Sequence, residues 1–207
     1  MKKVVLLGDS IRHAGYGRPV EENLSGEFEV WQPNDNCRFA KYTLRGLFDW
    51  KENMKNADII HWNNGLWDVC DIFGDGHFTP KDEYVETMVR LAKLMKQRAK
   101  TVIFATTTPV RDDNPYNKNC NIEAFNNALV PRLREIGVVI NDLYSVISKD
   151  IEKYIREDDK IHLTDEGIAV ATEMVEGIIR SEAEKISETD KTVEIEQSVE
   201  MGAPVLT

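Results

Sequence analysis

The sequence is poor in the features that mark most specialised protein classes. It holds three cysteines in 207 residues, Cys37, Cys70 and Cys120, with no C-x-x-C spacing. That odd, scattered set excludes a zinc knuckle or a disulfide framework and suits a reducing compartment. No apolar run approaches the ~20 residues that a bilayer-spanning helix needs. After Lys2 and Lys3 only Val4 to Leu7 is apolar, too short for the core of a signal peptide, so a cytoplasmic setting without a membrane partner is expected. Basic charge is also scarce. Lysine and arginine number 26 against 36 aspartates and glutamates, a formal net of −10. Such a surplus repels phosphate backbones, and no nucleic-acid partner is expected. The glycines form neither G-x-G-x-x-G nor a phosphate loop, and no two histidines have metal-ligand spacing, so neither a cofactor nor a metal is expected.

The acidity is uneven. Residues 181–207 hold seven acids against two lysines, a net of −5 in the last 27 residues. From about Ser187 the apolar spacing loses its helical period, and Gly202 and Pro204 interrupt what remains. The reading is one domain over 1–186 and a flexible acidic tail over 187–207, in which the alternation of Thr192–Val199 leaves a stray edge strand open.

What is present is a regular alternation. Lys3–Leu7, Phe28–Gln32, Asp58–Trp62, Thr101–Thr106 and Val138–Ile140 read as short strands. Helical patterns lie between and after them, at Tyr42–Lys55, Pro80–Arg98, Ile122–Ile136 and Asp165–Ile179. Pro80–Arg98 is the clearest, with Thr79 expected as N-cap and Pro80 in the first helical position. Strands alternating with helices imply right-handed βαβ units, hence an α/β fold: a three-layer αβα sandwich on a five-stranded parallel sheet. In such sheets ligands bind beyond the carboxyl ends of the strands, which directs attention to the loops there.

One of those loops opens with Gly8-Asp9-Ser10, directly after the first strand. A serine there either caps a helix or presents its hydroxyl as a nucleophile. Far along the chain, Asp159-Lys160-Ile161-His162 precedes the last helical pattern, which Thr164 caps, with Asp165 and Glu166 in its first turn. An aspartate and a histidine three residues apart supply a base and the group that fixes its tautomer. Asp158 lacks that spacing. G-x-S-x-G, the nucleophile elbow of another hydrolase class, is absent.

G-D-S near the start and D-x-x-H near the end resemble the SGNH, or GDSL-type, hydrolase family over roughly residues 3–180, as a divergent branch. The resemblance implies a flavodoxin-like sandwich, a Ser10 nucleophile, a His162 base and an Asp159 orienting carboxylate. It also implies an oxyanion hole made by the Ser10 N–H, a glycine N–H after the second strand and an asparagine in G-x-N-D after the third. The chain departs from that pattern twice. Gly65-Leu66-Trp67-Asp68 puts Trp67 where asparagine belongs, so Asn63, which ends the strand, is the expected donor and Asn64 its competitor. By spacing to Thr43 and Leu47, Ala40 falls at the glycine position; Gly46 reads as a packing residue inside a helix.

The other histidines have quieter readings: His61 as a core histidine, His77 as a possible rim residue, His13 as a contact of substrate or solvent. Thr106–Thr108 reads as the lining of a polar pocket or as ordinary loop chemistry, and Phe125–Asn127 as structural. The expected function is a serine esterase acting on a small acyl ester, with an acetyl group on a sugar as the first guess. A catalytically silent carbohydrate-binding or interaction domain on the same fold is the alternative, and a module for a phosphorylated ligand is the weakest. The substrate's identity and the oligomeric state are left open.

Overall fold

Five short apolar runs become five parallel strands. In the computed structural model, which describes the backbone of residues 1–202 and the side-chain surroundings of residues 1–190, β1 is Lys2–Gly8, β2 Phe28–Trp31, β3 Ala57–Asn63, β4 Ala99–Ala105 and β5 Val139–Asn141. The sheet order is β2-β1-β3-β4-β5. Val4 to Leu7 in β1 and Ile59, Ile60 and Trp62 in β3 are fully buried, as continuous apolar runs covered on both faces must be. Gly8 pairs with Asn63, so the two central strands end side by side at one edge.

The helices are α1 (Gly17–Leu24), α2 (Ala40–Asp49), α3 (Leu66–Val69), α4 (Lys81–Lys96), α5 (Asn119–Glu135), α6 (Leu143–Ile147), α7 (Ile151–Tyr154) and α8 (Asp165–Gly202). Helices α1 and α8 pack together on one face, while α2, α4 and α5 form the other layer. This is the expected αβα sandwich. No helix of the described residues is long and apolar enough to cross a membrane.

Three elements differ from their sequence reading. Helix α2 stops at Asp49: Trp50 folds its ring back over Gly46, and Asn56 takes a left-handed φ of 58° before β3. The close ring makes Gly46 the packing residue that was expected, since a Cβ there would sit 2.3 Å from the indole. At α4 the N-cap is Pro80 and not Thr79, because the Thr79 hydroxyl donates to Asp68 at 2.7 Å and is not available to cap. Helix α8 continues well past Ile179, and Ala171, Val175, Ile179, Ala183 and Ile186 carry one buried stripe. Its backbone bounds take in Thr192–Val199; the side chains of the tail from residue 191 and the whole of 203–207 lie outside the described residues.

Candidate active site

The site begins where β1 ends. Gly8 must be small: a Cβ there would lie 2.0 Å from Asn63 Oδ1 and 2.8 Å from the Arg12 Cβ. Beyond it the chain turns directly into a helical stretch, with a π-helical turn at Arg12–Tyr16 that kinks at Gly15 before α1. The Asp9 carbonyl accepts from the N–H of His13 at 2.9 Å, so Ser10 sits at the head of this helix. Its side chain is partly exposed, and among the described residues its hydroxyl makes no hydrogen bond.

Asp9, by contrast, is buried and held firmly. Its Oδ1 accepts from the Ile11 N–H at 3.0 Å and from Asn63 Nδ2 at 2.6 Å. Asn63 Oδ1 in turn accepts from the buried Tyr16 hydroxyl at 2.8 Å. Burial pushes the Asp9 carboxyl up to about 6, against the opposing pull of the Ile11 N–H, Asn63, Arg12 and His162. Arg12 is only 1% exposed. Its guanidinium donates to the carbonyls of Pro33, Gly8 and Asp35 and to Gln32 Oε1, pinning the β2–α2 loop to the end of β1.

The second half of the site lies before α8. His162 Nδ1 is 2.9 Å from Asp159 Oδ2, and Asp159 Oδ1 accepts from the N–H groups of Ile161 and His162. A carboxylate against Nδ1 fixes the hydrogen there and leaves Nε2 as the free basic nitrogen. Burial would raise the Asp159 carboxyl, but the His162 N–H, the His162 ring and the Ile161 N–H together hold it below its ordinary value. Asp158 points elsewhere: it pairs with Arg156 at 2.9 Å. Thr164 caps α8, its hydroxyl accepting from the Gly167 N–H at 3.1 Å. This loop packs on the turn after Ser10, since a Cβ on Gly15 would lie 3.8 Å from Leu163 Cδ1, and His162 acts electrostatically on Asp9. Asp159 and His162 are therefore joined, beside the serine turn. No Ser10–His162 hydrogen bond is formed; such bonds are often long in unliganded sites.

The expected oxyanion donors fare differently. Ala40 is fully buried and its one N–H donates to Asp68 Oδ2 at 3.0 Å, so it cannot also face a substrate. The buried Asp68 also accepts from Thr79, and burial pushes its carboxyl up to about 7 against those two hydrogen bonds. Among the described residues, the Lys41 N–H in the same first turn of α2 has no partner. Asn63 faces Asp9 and Tyr16. Asn64 faces the start of α2, donating to the Arg38 carbonyl at 2.8 Å and accepting from Thr43 Oγ1 at 2.9 Å.

The remaining candidates settle into structure. His61 is fully buried, accepts from Asn141 Nδ2 at 3.2 Å, and is pushed down to about 3 by burial, which keeps the ring neutral. Among the described residues its Nδ1 has no partner. Asn126 bonds both the N–H and the carbonyl of Thr107, and Thr107 Oγ1 donates to the Asn64 carbonyl, so these residues brace the β3 end. His77 rests on the Val69 carbonyl at 2.9 Å. His13 borders an open groove with Gln32 and Asn34 beside Arg12. Sequence reasoning missed Arg12, Tyr16 and Asp68 as supports, because a buried polar partner carries no period or spacing of its own.

Comparison with solved structures places the fold. The acetyl xylan esterase AlAXEase matches with a TM-score of 0.73 at 17% identity, over 86% of this chain and 99% of that one. The fold is that of the SGNH hydrolases. A lipase/acylhydrolase from Enterococcus faecalis matches with a TM-score of 0.70 at 17% identity, over 87% and 96% of the two chains. Axe2, an acetylxylan esterase from Geobacillus stearothermophilus, gives 0.68 at 16% identity, over 84% and 92%. No protein-family model and no curated protein matches the chain.

Proposed function

We propose that the chain is a serine esterase that removes a small acyl group through an acyl-enzyme. Ser10 Oγ attacks the ester carbonyl as His162 Nε2 takes its proton, and Asp159 stabilises the imidazolium. The proton passes from His162 to the departing alcohol. Water then attacks the acyl-enzyme by the same route in reverse. The tetrahedral oxyanion is received by the N–H groups of Ser10 and Lys41 and by the Asn64 amide. Asn64 replaces Asn63 in this role because it faces the α2 start, whereas Asn63 is engaged in fixing the Asp9 turn. Each asparagine amide carries two hydrogens, so Asn64 keeps one beyond the Arg38 carbonyl.

One observation carries the reading: a carboxylate-oriented histidine, with Nε2 free, in a loop that packs at Gly15 on the helical turn opened by Ser10 at the strand edge. An acetyl ester of a carbohydrate is the favoured substrate, in keeping with the acetyl xylan esterases that share the fold. The test is p-nitrophenyl acetate hydrolysis. Ser10→Ala and His162→Ala are each expected to lower kcat by ~10⁴ or more while Asp158→Asn leaves it within about twofold. A silent carbohydrate-binding domain is favoured by a single feature, the occupied Ala40 N–H, and requires equal rates for wild type and Ser10→Ala.

A further inference from the structure

Exposed aromatic side chains are few among the described residues, and they are not scattered. Trp67 lies on the short α3, and Phe73, Phe78 and Tyr116 in the loops that follow α3 and β4, at the carboxyl edge that holds Asn64. Phe73 is 79% exposed. The other exposed aromatic, Phe48, lies on α2 under the side chains of Arg45 and Lys51. The two loops are built as one surface. The Asp71 N–H donates to the Tyr116 carbonyl at 2.9 Å, and Asn117 Nδ2 donates to the Leu66 carbonyl at 2.9 Å. Within the first loop, Asp71 Oδ1 accepts from the Gly74 N–H at 2.7 Å and the Phe78 N–H returns to the Cys70 carbonyl. Phe78 stacks at 5.4 Å on Phe39, which immediately precedes α2. Through Thr79 and Asp68 the same loop grips the Ala40 N–H. The rim is therefore ordered beforehand and tied to the α2 start, where the oxyanion is placed.

We propose that this rim is a subsite for the sugar chain that carries the ester, a neutral oligosaccharide; the proposal rests on the esterase reading above. Aromatic faces left in water are costly unless a partner covers them, and a patch beside a site marks what the site receives. Sugar rings present flat C–H faces to aromatic rings and hydroxyls to polar neighbours, and this rim offers both, with Asp71 and His77 among the rings. Charge decides against anionic occupants. Asp71 and Asp75 lie in the loop, and the whole chain carries −10, so a phosphate backbone or an anionic lipid surface is repelled. The internal hydrogen bonds set it apart from a mobile lid that opens on a lipid interface.

The test compares two esters of different reach. Wild type, Phe73→Ala, Tyr116→Ala and Phe48→Ala are assayed on ethyl acetate and on acetylated xylotetraose. The first two variants are expected to keep ethyl acetate kcat/KM within twofold. On the oligosaccharide they should raise KM by roughly two- to twelvefold, the size of one lost stacking contact, with kcat little changed. Phe48→Ala should change neither. In parallel, xylotetraose is titrated into Ser10→Ala while the fluorescence of Trp67 and its neighbours is followed; saturable binding weakened by Phe73→Ala supports the subsite whether or not the enzyme turns over. Unchanged oligosaccharide KM together with absent xylotetraose binding would overturn the proposal while leaving the esterase intact. So would activation by neutral phosphatidylcholine vesicles that depends on Phe73, which would make the rim a lipid contact. A wild type that binds xylotetraose but hydrolyses neither ester would sink the esterase reading and spare the subsite.

Discussion

At the scale of single residues, the two adjacent asparagines divide the labour of the site because a strand turns successive side chains to opposite faces. Asn63 bridges Asp9 and Tyr16 on one side of the sheet; Asn64 reaches the α2 start on the other. Their substitutions should therefore separate. Asn64→Ala is expected to lower kcat by ~10²–10³. Asn63→Ala should mainly lower stability, by about 1–3 kcal/mol for each buried group left unpaired, with Asp9 and the Tyr16 hydroxyl both exposed to that loss. Urea unfolding and kcat measured on the same preparations check the pair, and a turnover defect confined to Asn63→Ala would reverse the assignment. The sequence could not choose between these neighbours. Asn63 ends β3 and Asn64 directly follows it, and only the direction each side chain takes distinguishes them. The Asp159–His162 pair was legible because both residues fall in one short motif of fixed spacing, and Ser10 stood out as a candidate nucleophile by its place directly after β1. Ala40 was misplaced because counting back from Thr43 does not reveal that Asp68 reaches across to take its N–H.

At the scale of elements, all five strands and the four long helices beyond α1 followed from apolar runs and periodicity, their ends shifting by a few residues where contacts intervened. Thr79 left the α4 cap for Asp68, and Trp50 ended α2 by folding over Gly46. Helix α1 escaped notice: Gly15, Gly17 and Pro19 break its local pattern, and tertiary packing of Tyr16, Val20 and Leu24 holds it instead. What joins the elements around the site is Arg12. Its buried guanidinium satisfies three backbone carbonyls from two segments, and Arg12→Leu leaves those of Pro33 and Asp35 unpaired while Gly8 keeps the Cys37 N–H. The expected loss is at least about 3 kcal/mol in urea unfolding. A loss under about 1 kcal/mol would show that the β2–α2 loop is held by other means. The turn between β3 and α3 is similarly determined, since Gly65 combines a φ of +153° with Thr107 Oγ1 at 2.0 Å from any added Cβ.

At the scale of the whole molecule, two buried carboxylates oppose the usual gain of stability toward neutral pH. Asp9 and Asp68 are pushed by burial from 3.8 up to about 6 and about 7. Between pH ~4 and ~7 the folded chain holds protons that the unfolded chain has released, so their contribution to stability falls as pH rises through that window. Asp9→Asn keeps an oxygen for the Ile11 and Asn63 donors and removes the titration. The unfolding free energy of this variant should therefore gain on wild type between pH 5 and pH 8, by on the order of 1 kcal/mol; parallel curves would contradict the shift. The net charge of −10, which argues against a nucleic-acid partner, also bears on the proposed rim subsite, where it favours an uncharged chain as the occupant. Everything in this account turns on Ser10 being the activated nucleophile. The most direct measurement is mass spectrometry of the protein after reaction with a fluorophosphonate probe. The account predicts one adduct, on the peptide bearing Ser10, lost in both Ser10→Ala and His162→Ala; an adduct on another residue, or none on the folded wild type, would contradict it.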